Sequence, residues 1–252
     1  GNAFADILSG KVNPSGKLAD TWAYKYEDYP SSEKFSHNNG NVETELYDEG
    51  IYVGYRYFDT FEVPVRYGFG YGLSYTDFEI TGCALKAVSA EKIRVTATVR
   101  NTGNVSGKEV VQVYASLPGG ILEKEAHRLA AYAKTNELKP GEAQEVTMEV
   151  KMDGLTSYDE KRAAWILESG FYGIWVGNSL ASAKLCGGIK LDQEVIRRQV
   201  RNLFPLKQEL EEISQEASKT AKRAAAAAQQ AKEEELTVLN IRGADIATET
   251  VE

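Results

Sequence analysis

The chain has 252 residues, 42% of them hydrophobic and 26% charged. This globular composition excludes disorder throughout, collagen and a membrane protein, and no apolar run approaches the ~20 residues that cross a bilayer. Lys plus Arg total 29 against 37 Asp plus Glu, for a net charge of -8, and that acidic balance argues against a nucleic-acid partner, which would need a basic face.

Residues 1 to 76 are rich in Tyr, Gly and Asn and read as helix-like pieces with little strand alternation. The chain opens at Gly1 in what reads as a helix already under way, without a signal-peptide pattern, and is taken here for a piece of a longer protein. Asp20 beside Trp22 offers a carboxylate and a stacking face for a sugar, though packing at a domain edge accounts for them as well. His37 lies in a polar Ser-His-Asn-Asn-Gly loop with no Cys or acid at ligand spacing. Asp48 and Glu49 are adjacent carboxylates, the residue types that serve as acid and base in glycoside hydrolysis. Sequence neighbours seldom point the same way, so a loop contact or cap is the stronger reading. The aromatic segment Gly50–Asp59 reads as an interface before a ligand site, with Arg56 between Tyr55 and Tyr57 holding a loop by a stacked or bidentate contact. Gly68-Phe-Gly-Tyr-Gly72 lacks a following Lys and is not a phosphate loop.

From 77 to 191 the period changes to two. Ile93-Arg-Val-Thr-Ala-Thr-Val-Arg100 alternates strictly, which predicts a half-buried strand, and Asn101-Thr-Gly-Asn104 supplies turn chemistry. Val111, Val113 and Ala115 alternate next, before Pro118-Gly-Gly120. His127 begins another strand; like His37 it has no metal-ligand partners at suitable spacing. Leu138-Lys-Pro-Gly-Glu142 turns the chain into Val146, Met148 and Val150, and strands follow at Trp165–Leu167 and Tyr172–Val176. Short strands at this spacing predict an antiparallel β-sandwich of immunoglobulin or fibronectin type. Cys83 and Cys186 fall on its first and last strands. A disulfide is open to them, and two buried free thiols are the expectation. The whole chain is thus expected to be mainly β.

Residues 192 to 252 read as helical, with a closing strand. Asp192 is placed as an N-cap, followed by Val195, Ile196, Val200 and Leu203 at helical spacing, with Pro205 breaking or restarting the helix. Leu206, Leu210, Ile213, Ala217, Thr220, Ala224 and Ala231 share one face, and Ala224–Ala228 has high propensity with little to bury. The reading is a long connector of ~45 Å ahead of a strand at Leu236–Ile241, with a solvated tail helix as the alternative.

Several segments resemble glycoside hydrolase family 3. Gly1-Asn-Ala-Phe-Ala-Asp-Ile-Leu-Ser-Gly-Lys-Val-Asn-Pro-Ser-Gly-Lys-Leu18 is similar to the end of that family's α/β-sandwich domain. Tyr47-Asp-Glu-Gly-Ile-Tyr-Val-Gly-Tyr-Arg-Tyr-Phe58 and Tyr67-Gly-Phe-Gly-Tyr-Gly-Leu-Ser-Tyr75 resemble the segment leading into its third domain. Val99–Gly107, Leu138–Gly141 and Leu155–Asp159 look like its fibronectin type III-like domain. The resemblance covers roughly residues 1 to 191 and fits the three-domain, β-glucosidase-like branch. It implies three parts: 1–76, the end of the α/β-sandwich domain and a connecting segment; 77–191, the fibronectin type III-like domain; and 192–252, a helical linker and the start of a following segment.

The resemblance further implies a retaining glycosidase acting on a β-linked glycoside, with an Asp nucleophile from a barrel domain and an acid/base Glu from the α/β-sandwich. The nucleophile's Ser-Asp-Trp-like motif has no match, since no Asp-Trp pair occurs in the sequence. No catalytic, cofactor-binding or metal-binding residue is therefore assigned. The expectation is a non-catalytic structural portion of such an enzyme, partnered by the barrel domain of its parent chain; the alternative is a stand-alone fibronectin-type module that binds carbohydrate or protein. A helix after the sandwich would suit a circularly permuted member, with the barrel following Glu252.

Overall fold

The computed structural model describes residues 1–204 and 210–250. Its early part is made of short pieces: helix α1 (Asn2–Leu8), strand β1 (Trp22–Ala23), helix α2 (Tyr55–Thr60) and strand β2 (Val65–Tyr67), with β1 and β2 paired antiparallel. The sandwich follows as β3 (Phe78–Ser89), β4 (Lys92–Asn101), β5 (Val110–Ser116), β6 (Arg128–Lys134), β7 (Ala143–Lys151), β8 (Ser157–Asp159), β9 (Ala164–Leu167), β10 (Gly170–Gly177) and β11 (Lys184–Leu191). Then come β12 (Val195–Gln199), helix α3 (Ala217–Glu233), β13 (Thr237–Ile241) and β14 (Glu249–Thr250).

A three-stranded sheet, β3-β4-β7, faces a five-stranded one, β13-β11-β10-β5-β6. The expected register of β4 holds: Ile93, Val95, Ala97 and Val99 are fully buried and pack with Val111, Val113, Ala115 and Ile174 of the opposing sheet. Asn101 ends the strand with its side chain fully used. Its amide donates to the Val105 and Leu138 carbonyls at 2.8 and 2.9 Å, and its oxygen accepts from Thr76 Oγ1 and the Gly103 amide. That network shapes the Asn-Thr-Gly turn.

The cysteines depart from expectation: they form a Cys83–Cys186 disulfide, not two free thiols. Both sit at β-bulges. The register of β3 slips between Thr81 and Ala84, and that of β11 between Leu185 and Gly187. A bulge re-aims side chains, and here it brings the two Cα atoms to 5.8 Å across the sheets, inside the range a disulfide spans.

Past residue 191 the structure corrects the helical reading. Val195–Gln199 is strand β12, antiparallel to β9. Asp192 caps no helix; it accepts the Gly243 amide at 2.7 Å. Pro205 and Leu206 lie outside the described residues. Helix α3 is shorter than expected, at 17 residues, and is neither a free connector nor a solvated tail. Ala227 and Ala231 bury against Leu185, Phe171 and Trp175, because alanines let the helix approach the sheet closely. Strand β13 forms where Leu236–Ile241 was read, and it joins the sandwich in parallel beside β11.

Candidate functional site

Four polar side chains of α2 converge on one place, where that helix meets residues 125–129. Gly54 takes a φ of 60°, turning the chain into α2. Tyr55, Arg56, Asp59 and Thr60 then recur at helical spacing on the face toward the sandwich. Tyr55 Oη accepts the Leu129 amide at 2.9 Å, and Thr60 Oγ1 accepts the Ala126 amide at 2.9 Å. Asp59 Oδ2 lies 2.8 Å from His127 Nδ1, and Arg56 Nε lies 3.6 Å from Glu125 Oε1. One short helix thus engages Glu125, Ala126 and His127 of the loop leading into β6 and Leu129 at the start of that strand.

Glu125 is the buried centre of this junction. Arg128 grips it with Nε at 2.6 Å and a second nitrogen at 3.1 Å, while Arg128 also donates to the Thr156 carbonyl at 2.6 Å. Burial pushes the Glu125 carboxyl up, but the Arg128 hydrogen bonds, with the charges of Arg128 and Arg56, overcome it and hold the carboxyl below its ordinary 4.5. A lowered folded-state pKa contributes stability that is fully present above the unfolded value and is lost as pH falls through the folded one. Glu125→Gln is therefore expected to cost about 2–4 kcal/mol at neutral pH, because Arg128 keeps a poorly compensated charge. The variant should also lose less further stability than the parent between about pH 6 and pH 3. Denaturant melts across that range check this; parallel losses would show that other carboxylates carry the acid sensitivity.

A second buried pair braces the preceding loop. Lys124 and Glu168 are both almost fully buried and hydrogen-bonded to each other. Glu168 also accepts the Ile121 amide at 2.7 Å, and Lys124 donates to the Leu122 carbonyl at 2.9 Å. Burial lowers the Lys124 ammonium below its ordinary range, against the opposing pull of Glu168. Gln215 closes the loop from outside, donating to the Lys124 carbonyl at 2.5 Å.

The other residues singled out from sequence are scattered. Asp48 is buried and ion-paired with Lys34, and its backbone carbonyl accepts the Ile213 amide at 2.8 Å. Glu49 is half-buried, and its carbonyl accepts the Tyr52 amide at 2.9 Å. Asp20 is exposed and accepts the Thr21 amide; Trp22 is also exposed, edge-on to Tyr67 at 6.2 Å. His37 contacts the Asn41 carbonyl at 2.9 Å in an exposed turn. The Gly68–Gly72 loop is a packing loop, since a Cβ on Gly72 would stand 2.5 Å from the Gly16 carbonyl oxygen and one on Gly70 2.6 Å from Gln112. Beside α2 lies a cavity of about 360 Å³ bordered by Tyr55, Phe58, Asp59, Glu62 and Phe69. Among the described residues, no group of three or more His, Cys, Asp or Glu is gathered so as to hold a metal.

The Asp59–His127 and Lys124–Glu168 pairs escape sequence reading because their members lie 68 and 44 residues apart. The available signal was the spacing of Tyr55, Arg56, Asp59 and Thr60 on one helical face, opposite the charged run Lys124–Arg128.

A two-sheet sandwich locked to a tyrosine-rich helix is the class of structure that fold and junction define. Residues 109–180 match the fibronectin type III-like domain, and residues 1–55 match the glycosyl hydrolase family 3 C-terminal domain. The chain belongs to glycoside hydrolase family 3. "Beta-glucosidase A" of Butyrivibrio fibrisolvens is 45% identical over 224 residues, covering 80% of this chain and 27% of that protein. "Beta-glucosidase" of Ruminococcus albus is 43% identical over 213 residues, covering 82% and 22%. Among solved structures, beta-glucosidase 3B from Thermotoga neapolitana in complex with alpha-D-glucose superposes with a TM-score of 0.71 at 42% identity, covering 76% of this chain and 26% of that one. The chain thus spans about a quarter of the length of these relatives.

Proposed function

We propose that this chain is the non-catalytic, bracing portion of a retaining β-glucosidase-like glycoside hydrolase. It would contribute the end of the α/β-sandwich domain and the fibronectin type III-like domain, and a β-linked glycoside substrate would be hydrolysed only in the full-length enzyme. The barrel domain of the same parent chain is its proposed partner. The observation that carries this reading is the commitment of four of its acids: Asp48 to Lys34, Asp59 to His127, Glu125 to Arg128 and Glu168 to Lys124. A retaining mechanism needs two carboxylates about 5–5.5 Å apart, facing a shared substrate. Acids already engaged in holding segments together serve a positioning frame instead.

The junction at α2 supplies the test. In the full-length enzyme, Asp59→Ala should lower the temperature at which activity is lost while kcat and KM at 25 °C change by less than about twofold. A collapse of kcat with unchanged melting would overturn the reading, because it would place the Asp59–His127 pair in the chemistry.

A further inference from the structure

A cleft of about 1020 Å³ opens on the sandwich away from α2's Asp59–His127 contact, between the β8–β9 hairpin, the loop at 121–123 and residues 212–214. Its size is that of a generous small-ligand site. On one wall Tyr158 and Trp165 sit directly opposite each other across β8 and β9, with ring centroids 5.2 Å apart. Trp165 is 41% exposed, which leaves much of its indole open to a ligand.

The charges in the cleft narrow the ligand. Glu160, Glu212 and Lys161 line it without a side-chain hydrogen bond or ion pair among the described residues. Burial, then the nearby charges of Glu160, Glu123 and Asp48, push the Glu212 carboxyl above its ordinary range. An anion would add to that repulsion. A cationic ligand would meet Lys161, Arg56 and Arg128 on the same walls. A neutral molecule with an apolar face and many hydroxyls satisfies both constraints: it stacks on the indole and offers hydroxyls that donate to carboxylates and accept from an ammonium.

We propose that this cleft binds a short neutral oligosaccharide, with one pyranose ring stacked on Trp165 and its neighbours hydrogen-bonded to Glu160, Lys161 and Glu212. The site is independent of the bracing role, since it requires no catalytic carboxylate and no other domain. Cellotriose titrated into the 252-residue chain, followed by calorimetry and by tryptophan fluorescence, tests it. Saturable millimolar or tighter binding is expected, with Trp165→Ala weakening it about tenfold or more, the loss of one desolvated stacking contact. Trp22→Ala, an exposed indole elsewhere, should leave binding unchanged. Should Trp165→Ala fail to fold, hydrogen exchange in the parent chain provides the readout: cellotriose should protect residues 157–165. No saturable binding, binding that survives Trp165→Ala, or loss only in Trp22→Ala would overturn the proposal. Capture of a tyrosine-containing peptide at Trp165 with none of cellotriose would overturn it in favour of a protein partner.

Discussion

Val95→Asp is expected to unfold the sandwich. Val95 is fully buried on β4, registered between Leu85 of β3 and Met148 of β7. A carboxylate there has no partner, and leaving it unpaired or forcing it neutral costs several kcal/mol. Against a total stability of roughly 5–15 kcal/mol, a loss of about 4 kcal/mol or more leaves little folded protein. Thr96→Asp is the control. Thr96 points to the opposite face of the same strand, half-exposed between Ala84 and Thr147, and should cost about 1 kcal/mol or less. Denaturant melts of both variants measure the difference, and equal losses would mean that the inward face of β4 has been misassigned.

Breaking the Cys83–Cys186 bond is the second large effect. The bond closes a loop of 103 residues and ties β3 in one sheet to β11 in the other. Cross-linking residues that far apart restricts the unfolded chain by about 4–5 kcal/mol in the chain-entropy account, with native-state strain and residual structure reducing it. Cys83→Ser should therefore lower the denaturant midpoint strongly, and a reducing agent should do the same to the parent chain and nothing to the variant. A parent chain whose midpoint ignores reduction would contradict this.

The sequence made the sandwich legible where side chains alternate without interruption, as along Ile93–Arg100. It misled where an inward position is polar. In β12 the inward residues are Val195 and Arg197; Arg197 is buried because it donates to the Ala247 carbonyl at 2.8 Å and pairs with Asp153 and Glu249. An arginine at an inward position breaks the apolar alternation, and the remaining Val195, Ile196 and Val200 mimic helical spacing. The disulfide was hidden for a related reason, since bulges at both cysteines shift the faces that period-two counting assigns. Helix α3 was legible as a helix but not in its packing: an alanine face looks too small to bury, yet its smallness lets the helix lie close to Leu185. The junction at α2 was half legible, with Arg56 and its tyrosines marked as an interface, while their partners at 125–129 lay beyond any local pattern.

Hydrolysis of p-nitrophenyl β-D-glucopyranoside by the purified 252-residue chain tests the central claim most directly. The account predicts release no faster than a heat-killed control, because Asp48, Asp59, Glu125 and Glu168 are held in ion pairs and serve as fasteners. Reproducible turnover above that control, abolished by Asp48→Asn or Glu49→Gln, would contradict it and make those neighbouring carboxylates catalytic.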